Sequence, residues 1–208
     1  MLKGTRIIQG SEALRYVETQ NEIRKILATH GFEEVILPSI WGKSTFTEKL
    51  GAEKEGQMWT FKDKGGRECC LIPEVTGLIQ ELWNKNWSKE KPKPYKIFYV
   101  SRCYRYDRPQ EGRYREFTQI GAEILGGKPP VDASELEEVM LECLNVFDIE
   151  YEIKSNVSRG LSYYVEDGFE AECLNLGAQK QVLGGGRYEE GIGWALGLDR
   201  CLLAEYIR

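Results

Sequence analysis

The sequence has few of the residues from which metal sites, exported proteins and membrane spans are built. Of 208 residues only His30 is a histidine, and none of the six cysteines forms a Cys-x-x-Cys pair. A zinc site is therefore not expected, and buried, reduced thiols are the simpler interpretation. No apolar run approaches the ~20 residues that cross a bilayer, and residues 1–6 carry no apolar signal-peptide core. We expect a cytoplasmic protein that makes no membrane contact.

The chain also lacks an excess of positive charge. Its formal net charge is −5, which excludes a protein whose whole surface grips nucleic acid, because such binding depends on many Lys and Arg contacts to phosphate. One local exception is residues 85–96, where five lysines alternate with aromatic residues. A solvated connector broken by prolines is the simpler interpretation of this stretch, and a platform for RNA is the alternative.

Length and hydrophobic pattern indicate one domain, residues 1–208. A chain of this length fills one core, and no linker, repeat or low-complexity segment divides it. Helical spacing predicts a helix from Ser11 to Thr29, with Ser11 as its N-cap. A strand is expected over residues 32–38, ended by Pro38. Residues 58–61 and 68–72 flank a glycine-containing turn and predict a hairpin.

The rest of the pattern alternates irregularly between helices and strands. Helices are predicted over residues 73–87, 132–145 and 193–206, and strands over 96–106, 117–125, 151–157, 168–174 and 179–183. The charged loop 107–116 joins two of these strands and is expected to meet a ligand. This order favours an α+β fold with a mostly antiparallel sheet flanked by helices over a regular βαβ wheel.

Four arginines have settings that suit phosphate chemistry. Arg105 lies on a predicted strand, Arg113 and Arg115 in the loop after it, and Arg200 at the start of a helix. When an adenylyl group is transferred, negative charge spreads over the α-phosphate and the departing pyrophosphate. The fixed fork of guanidinium donors is well matched to such oxygens, whereas a single arginine is more often a surface ion pair.

These residues lie in segments that resemble a known family. Residues 104–117, Tyr-Arg-Tyr-Asp-Arg-Pro-Gln-Glu-Gly-Arg-Tyr-Arg-Glu-Phe, look like motif 2 of histidyl-tRNA synthetases, and the match continues through residues 118–126. Residues 159–164, Arg-Gly-Leu-Ser-Tyr-Tyr, resemble the family's histidine-binding signature. Residues 184–188 and the motif 3-like residues 193–200 follow in the family's order, and the initial helix and strand resemble motif 1.

The resemblance implies the fold and site of a class II aminoacyl-tRNA synthetase. Its ATP-binding positions here would be Arg105, Asp107, Arg113, Arg115, Phe117 and Arg200, with Phe117 stacked on adenine. The cations acting in catalysis would be Arg105, Arg159 and Arg200. Its amino-acid-binding positions would be Glu74, Thr76, Gln119, Glu123, Arg159, Tyr163, Tyr164, Gly185 and Tyr188. Of these, Glu74 would contact the α-ammonium group, and Glu123, Tyr164 and Tyr188 would line an imidazole pocket.

Taken singly, several of these residues have simpler interpretations. Tyr163, Tyr164 and Tyr188 would each more often be amphipathic core residues, and Gln119 and Glu123 could pair across strands. The ordered set of motifs is what favours the functional interpretation.

The implied activity is ATP-dependent formation of an aminoacyl adenylate, with histidine as the expected amino acid and Mg²⁺ carried by ATP. The acceptor could be tRNA or a carrier, and a homodimer is expected. No protein metal site is expected. At this length we expect neither the family's insertion nor its anticodon-binding domain within these 208 residues. Ser162 replaces the usual aspartate of the signature. The alternative is a regulatory paralogue that senses histidine without catalysis and serves another enzyme.

Overall fold

The structure is a computed structural model that describes residues 1–158, 161–177 and 179–207, with only the backbone of residues 51–54. Its first half contains α1 (Gly10–Thr29), β1 (Glu33–Glu34), β2 (Ile40–Gly42), α2 (Ser44–Glu55), β3 (Thr60–Lys62), β4 (Glu68–Leu71) and α3 (Thr76–Leu82). A π-helical turn (Trp83–Trp87) and the short α4 (Ser88–Glu90) follow α3. The remaining elements are β5 (Tyr95–Tyr104), β6 (Glu116–Leu125), α5 (Val131–Leu144), β7 (Glu152–Val157), β8 (Gly168–Glu172), β9 (Gln181–Tyr188), β10 (Gly191–Gly197) and α6 (Leu198–Tyr206).

Seven strands form the main sheet in the order β1-β5-β6-β10-β9-β8-β7. Every neighbouring pair is antiparallel except β1 and β5, which run parallel. A second sheet, in the order β2-β4-β3, contains the predicted hairpin. The α+β fold with a mostly antiparallel sheet flanked by helices is therefore confirmed.

Two apolar clusters hold helices against the main sheet. One joins α1, α5 and α6 to β6 and β10, with Leu27, Val139 and Trp194 among its buried members. The other joins α2, α3 and the small sheet to β5, and includes Phe46 and Tyr99. Removing apolar surface of this extent from water is the main source of stability for such layers.

Several sequence predictions of local structure are wrong. Residues 32–38 do not form one strand: only Glu33–Glu34 pairs with β5, and Ile36 is exposed. The sheet ladder ends there, and Pro38 has no N–H with which to extend it. The predicted N-cap, Ser11, is inside α1, since Gln9 occupies the cap with extended backbone and without a side-chain hydrogen bond.

The predicted closing helix is also wrong in its first half. Residues Gly191–Gly197 form β10, in the middle of the sheet, and α6 begins only at Leu198. Here β10 lies between β6 and β9, and its Gly193 is opposite Gly186 of β9. Close approach of these backbones explains the glycines, which a helical pattern does not. Helix α2 was not predicted, because Phe46 and Leu50 are its only buried apolar side chains among the residues with described side chains.

Candidate functional site

A cavity of about 320 Å³ lies against β6, β9 and β10 and is bordered by the 107–115 loop. The strand ends place its polar side chains, and the loop and the start of α6 add cations. Its charged and polar lining residues are Glu74, Thr76, Arg105, Asp107, Arg113, Tyr114, Gln119, Tyr163, Tyr164, Gln179, Gln181, Asp199 and Arg200. Concave sites with few, converging polar groups are the usual form of small-molecule sites.

Arg105 and Arg113 are held by contacts that fix their direction. The Nε of Arg105 donates to the Pro73 carbonyl at 2.8 Å, and its guanidinium lies 5.1 Å from the centre of the Phe117 ring. Arg113 donates from Nε to the Asp107 carboxylate at 2.9 Å. In both residues the described hydrogen bond is made by Nε, so, within the described part of the chain, the terminal nitrogens can donate to a ligand's oxygens.

Arg200 has a different environment because all its described bonds are to neutral acceptors. It donates to the carbonyls of Gly112 and Gln181 at 3.2 and 2.5 Å, and to the Gln179 side chain at 3.0 Å. Burial lowers the pKa of Arg200, and the charges of Arg105 and Arg113 lower it further. Three cations brought this close, in a partly dry cavity, favour a multiply charged anion between them.

Around Glu74 the cavity wall carries an acidic group instead of cations. Its carboxylate is buried, accepts a hydrogen bond from the Gly77 N–H at 2.9 Å, and accepts another from the Tyr163 hydroxyl at 3.3 Å. Burial raises the pKa of Glu74, and the nearby charges of Arg105 and Lys49 oppose that rise. A carboxylate at a cavity wall can bind an ammonium group.

Glu123 lies deeper and makes two hydrogen bonds inside the protein. It accepts from the Thr76 hydroxyl at 2.8 Å and from the Tyr188 hydroxyl at 2.7 Å. Burial raises the pKa of Glu123 to about 8 despite these donors, and the charge of Glu74 adds to the rise. A methyl group on Gly193 would overlap the Glu123 carboxylate, so this position accepts only glycine while Glu123 is present.

The structure brings most of the predicted site residues to this cavity. Those that line it are Glu74, Thr76, Arg105, Asp107, Arg113, Phe117, Gln119, Tyr163, Tyr164 and Arg200. Glu123 and Tyr188 lie behind that lining as a buried pair, and Gly185 lies in β9, where a methyl group would meet the Phe169 ring. Arg115 does not line it, since its guanidinium covers Tyr106 at 3.9 Å. The predicted catalytic cation Arg159 lies outside the described residues.

Sequence reasoning missed Asp199 and Arg6. Asp199 lines the cavity, accepts a bond from the Thr118 N–H at 2.7 Å, and pairs with Arg6 at 2.6 Å. Asp199 lies within the motif 3-like segment, where the resemblance gives it no role, and Arg6 lies outside every motif. A separation of 193 positions in sequence left no local signal for their pairing.

Two further observations concern metal ligands and membrane spans in the described part of the chain. Among the residues with described side chains, no group of three His, Cys, Asp or Glu side chains is arranged to hold a metal ion. None of the helices in the described part of the chain is both long and apolar enough to cross a membrane.

Comparison with known proteins shows similarity to one protein family. Residues 4–154 match the sequence profile of the family described as histidyl-tRNA synthetase. A histidine–tRNA ligase of Methanococcus aeolicus is 36% identical over 151 residues, which are 73% of this chain and 36% of that protein. Another, of Methanosarcina acetivorans, is 26% identical and covers 96% of this chain and 74% of its own length.

Solved structures give the same picture of the fold. The apo histidyl-tRNA synthetase of S. aureus has a TM-score of 0.78 at 25% identity, over 98% of this chain and 69% of that one. A Bacillus halodurans protein described as an ATP phosphoribosyltransferase regulatory subunit/histidyl-tRNA synthetase has a TM-score of 0.81 at 14% identity, over 98% and 82%. At that identity the likeness concerns the fold alone.

Proposed function

Because this chain belongs to the histidyl-tRNA synthetase family, we propose that it binds ATP and an amino acid and joins them into an aminoacyl adenylate, releasing pyrophosphate. The observation that carries the proposal is the charge pattern of one cavity. Arg105, Arg113 and Arg200 lie along it together with the buried Glu74. Such a cavity suits a triphosphate and an α-ammonium group bound side by side.

The chemistry requires positioning more than a protein nucleophile. The substrate carboxylate attacks the α-phosphate, so no activated serine or cysteine is needed. The charge of Arg105 acts on both Glu74 and Arg200, so Arg105 would orient the substrate carboxylate and stabilise the charge that develops on the α-phosphate. Arg113 and Arg200 would stabilise the departing pyrophosphate. ATP would enter as its Mg²⁺ complex, in which phosphates and water supply most of the metal's ligands.

Histidine is the proposed amino acid. Glu123 and Tyr188 form a buried acceptor and donor pair behind Tyr163 and Tyr164. A ring nitrogen can take part in the hydrogen bonds of such a pair and an apolar side chain cannot, so the pair favours histidine over an apolar amino acid.

The wider setting of the reaction is also a proposal. The activated amino acid would pass to tRNA or to a carrier acceptor, in the cytoplasm, and the active species would be a homodimer of one catalytic domain, residues 1–208. A regulatory protein that binds histidine without activating it is the second candidate, because the same fold occurs in a protein described as a regulatory subunit. Retention of Arg105, Arg113 and Arg200 at one cavity favours the enzyme.

The deciding experiment is ATP–pyrophosphate exchange with each of the twenty amino acids and no RNA. We expect exchange with histidine, and a fall of at least about 100-fold in Arg105→Ala, since loss of one group that stabilises transition-state charge has effects of this size. Arg102→Ala is the matched control: Arg102 lies on β5, three residues before Arg105, is exposed, and pairs with Glu116. Arg105 itself follows the end of β5, whereas the sequence placed it within the strand.

Each outcome separates the candidates. Exchange with another amino acid would support the proposed adenylation and show that histidine is not the amino acid that is activated. Histidine binding in calorimetry without exchange would support the regulatory candidate. Equal activity in Arg105→Ala and Arg102→Ala would remove Arg105 from the proposed mechanism.

A further inference from the structure

The N-terminal segment, residues 2–8, packs against the loop that borders the cavity. The carbonyl oxygen of Gly4 accepts a hydrogen bond from the Arg115 N–H at 2.7 Å. Gly4 has φ +86, and a methyl group there would lie 2.8 Å from Arg115 and 2.9 Å from Pro109. The segment therefore fits the loop closely at a position that only glycine occupies without strain.

Arg6, two residues further on, contacts the wall of the cavity itself. Its guanidinium donates to Asp199 at 2.6 Å, bonds Glu12 on its other side, and lies 4.7 Å from the centre of the Tyr114 ring. Burial alone would lower the pKa of Arg6, but the partners Asp199, Tyr114 and Glu12 raise it overall. Arg6 is therefore a fixed cation behind two residues, Asp199 and Tyr114, that line the cavity.

Because of the position of Asp199, the charge of Arg6 affects how strongly the cavity binds an anion. Asp199 precedes Arg200 in the chain and is buried beside the arginines proposed to hold phosphates. Without Arg6, the Thr118 N–H and the Tyr16 hydroxyl, at 2.7 and 3.5 Å, would still hold the carboxylate in place. Its charge would then be uncompensated and would repel an anion in the cavity.

We propose that Arg6 is a positioning residue for the nucleotide: it neutralises Asp199 and supports Tyr114, so that the wall beside Arg200 attracts phosphate. This inference rests on the proposed function, because it assumes that ATP occupies the cavity. None of the hydrogen bonds or ring contacts described for Arg6 involves Glu74, Glu123 or Tyr163. The effect should therefore be confined to ATP and should not extend to the amino acid.

The test measures the Kd of Mg²⁺-ATP and of histidine separately, by calorimetry well below the unfolding temperature. Arg6→Met should weaken ATP binding roughly tenfold or more, the size expected for an unscreened charge at the cavity wall, and leave histidine binding within about twofold. Adding Asp199→Asn to Arg6→Met should restore most of the ATP affinity, since the repelling charge is gone and an amide oxygen still accepts from Thr118. A purely structural ion pair would show no such rescue.

Arg15→Met is the matched control. Arg15 also pairs with a distant carboxylate, Glu205, at 2.7 Å, but neither residue lines the cavity. Its loss should lower the unfolding temperature and leave both Kd values unchanged.

The outcomes distinguish the inference from the function on which it rests. Failure of the unaltered protein to bind ATP overturns the proposed function and this inference with it. ATP binding that is equally tight in the unaltered protein and in Arg6→Met overturns the inference alone. Should Arg6→Met not fold, Gly4→Ala is the second variant, because it displaces the segment from Arg115 and Pro109. Unchanged ATP affinity in Gly4→Ala would then overturn the inference.

Discussion

Glu123 is an acid that the fold surrounds with donors rather than with cations. Its two oxygens accept from Thr76 and Tyr188, and the nearby Glu74 is another acid. Neutral donors offset only part of the cost of burying a carboxylate, so the protonated form is favoured up to a pH of about 8. In an empty site at neutral pH, Glu123 therefore holds a proton that it would release in the unfolded chain.

Stability should consequently fall as the pH rises from about 4.5 to 8. Over that interval the folded state keeps the proton of Glu123 and the unfolded state loses it, which costs at most about 1.4 kcal/mol per pH unit. Below the interval both states are protonated, and above it neither is, so the effect is constant there. Glu123→Gln, which mimics the protonated acid, removes this dependence.

We expect the unfolding temperature of Glu123→Gln to rise relative to that of the unaltered protein as the pH increases from 5 to 8. Above pH 8 the difference between the two temperatures should stay constant. Thermal unfolding followed by circular dichroism at half-unit steps measures this. Glu74, whose pKa burial also raises, is coupled to Glu123, so the difference between the two curves includes the interaction of the two acids. Parallel curves for the two proteins would show that Glu123 titrates normally.

At the scale of elements, a buried ion pair adds to the apolar packing that holds α5 against the sheet. Asp132, in the first turn of α5, receives two bonds from the Arg187 guanidinium of β9, at 2.7 and 3.1 Å. Both side chains are largely buried. Because a lone buried charge is costly, either partner depends on the other.

Asp132→Ala should destabilise the protein by about 3–5 kcal/mol, since it leaves the Arg187 charge unpaired in the interior. The double change Asp132→Leu with Arg187→Met should recover much of that loss, because it removes both charges. Urea unfolding of the single and double variants measures this. A double variant less stable than Asp132→Ala would mean that the pair contributes more than its mutual neutralisation.

The sequence predicted elements where one periodicity dominates. The strands at 96–106 and 117–125 and the helix at 132–145 agree with β5, β6 and α5 within a few residues. The sequence-based prediction was wrong at β10, where glycines and small residues leave space for the backbones of β6 and β9 and for the Glu123 side chain. Local pattern cannot reveal such a requirement, because the neighbouring backbone comes from a segment some 70 residues earlier.

At the scale of the molecule, the loop arginines and Glu74 were found through contiguous motifs, whereas Arg6 and Asp199 were found only by their spatial contact. A second feature of this scale is an exposed set of apolar side chains on α1 and after β1. Leu14, Val17 and Ile36 are 60%, 53% and 91% exposed. These are the segments that resemble motif 1, and they support the proposed homodimer.

We expect a dimer at micromolar concentration in sedimentation equilibrium, and a shift to monomer in the double variant Leu14→Glu with Val17→Glu, since two buried carboxylates would oppose an apolar interface. Leu174→Glu is the control, because Leu174 is similarly exposed but lies in the segment after β8. A monomeric unaltered protein would exclude the homodimer at this concentration.

The contact between Arg6 and Asp199 also bears on how the molecule is made. A ribosome releases residue 6 long before residue 199, so the N-terminal segment must wait for nearly the whole chain before its partner exists. Contacts between residues so far apart in sequence form late and slow the search for the native state. The part of the cavity wall that Asp199 forms is therefore completed only after residue 199 has been made and has met the segment around Arg6.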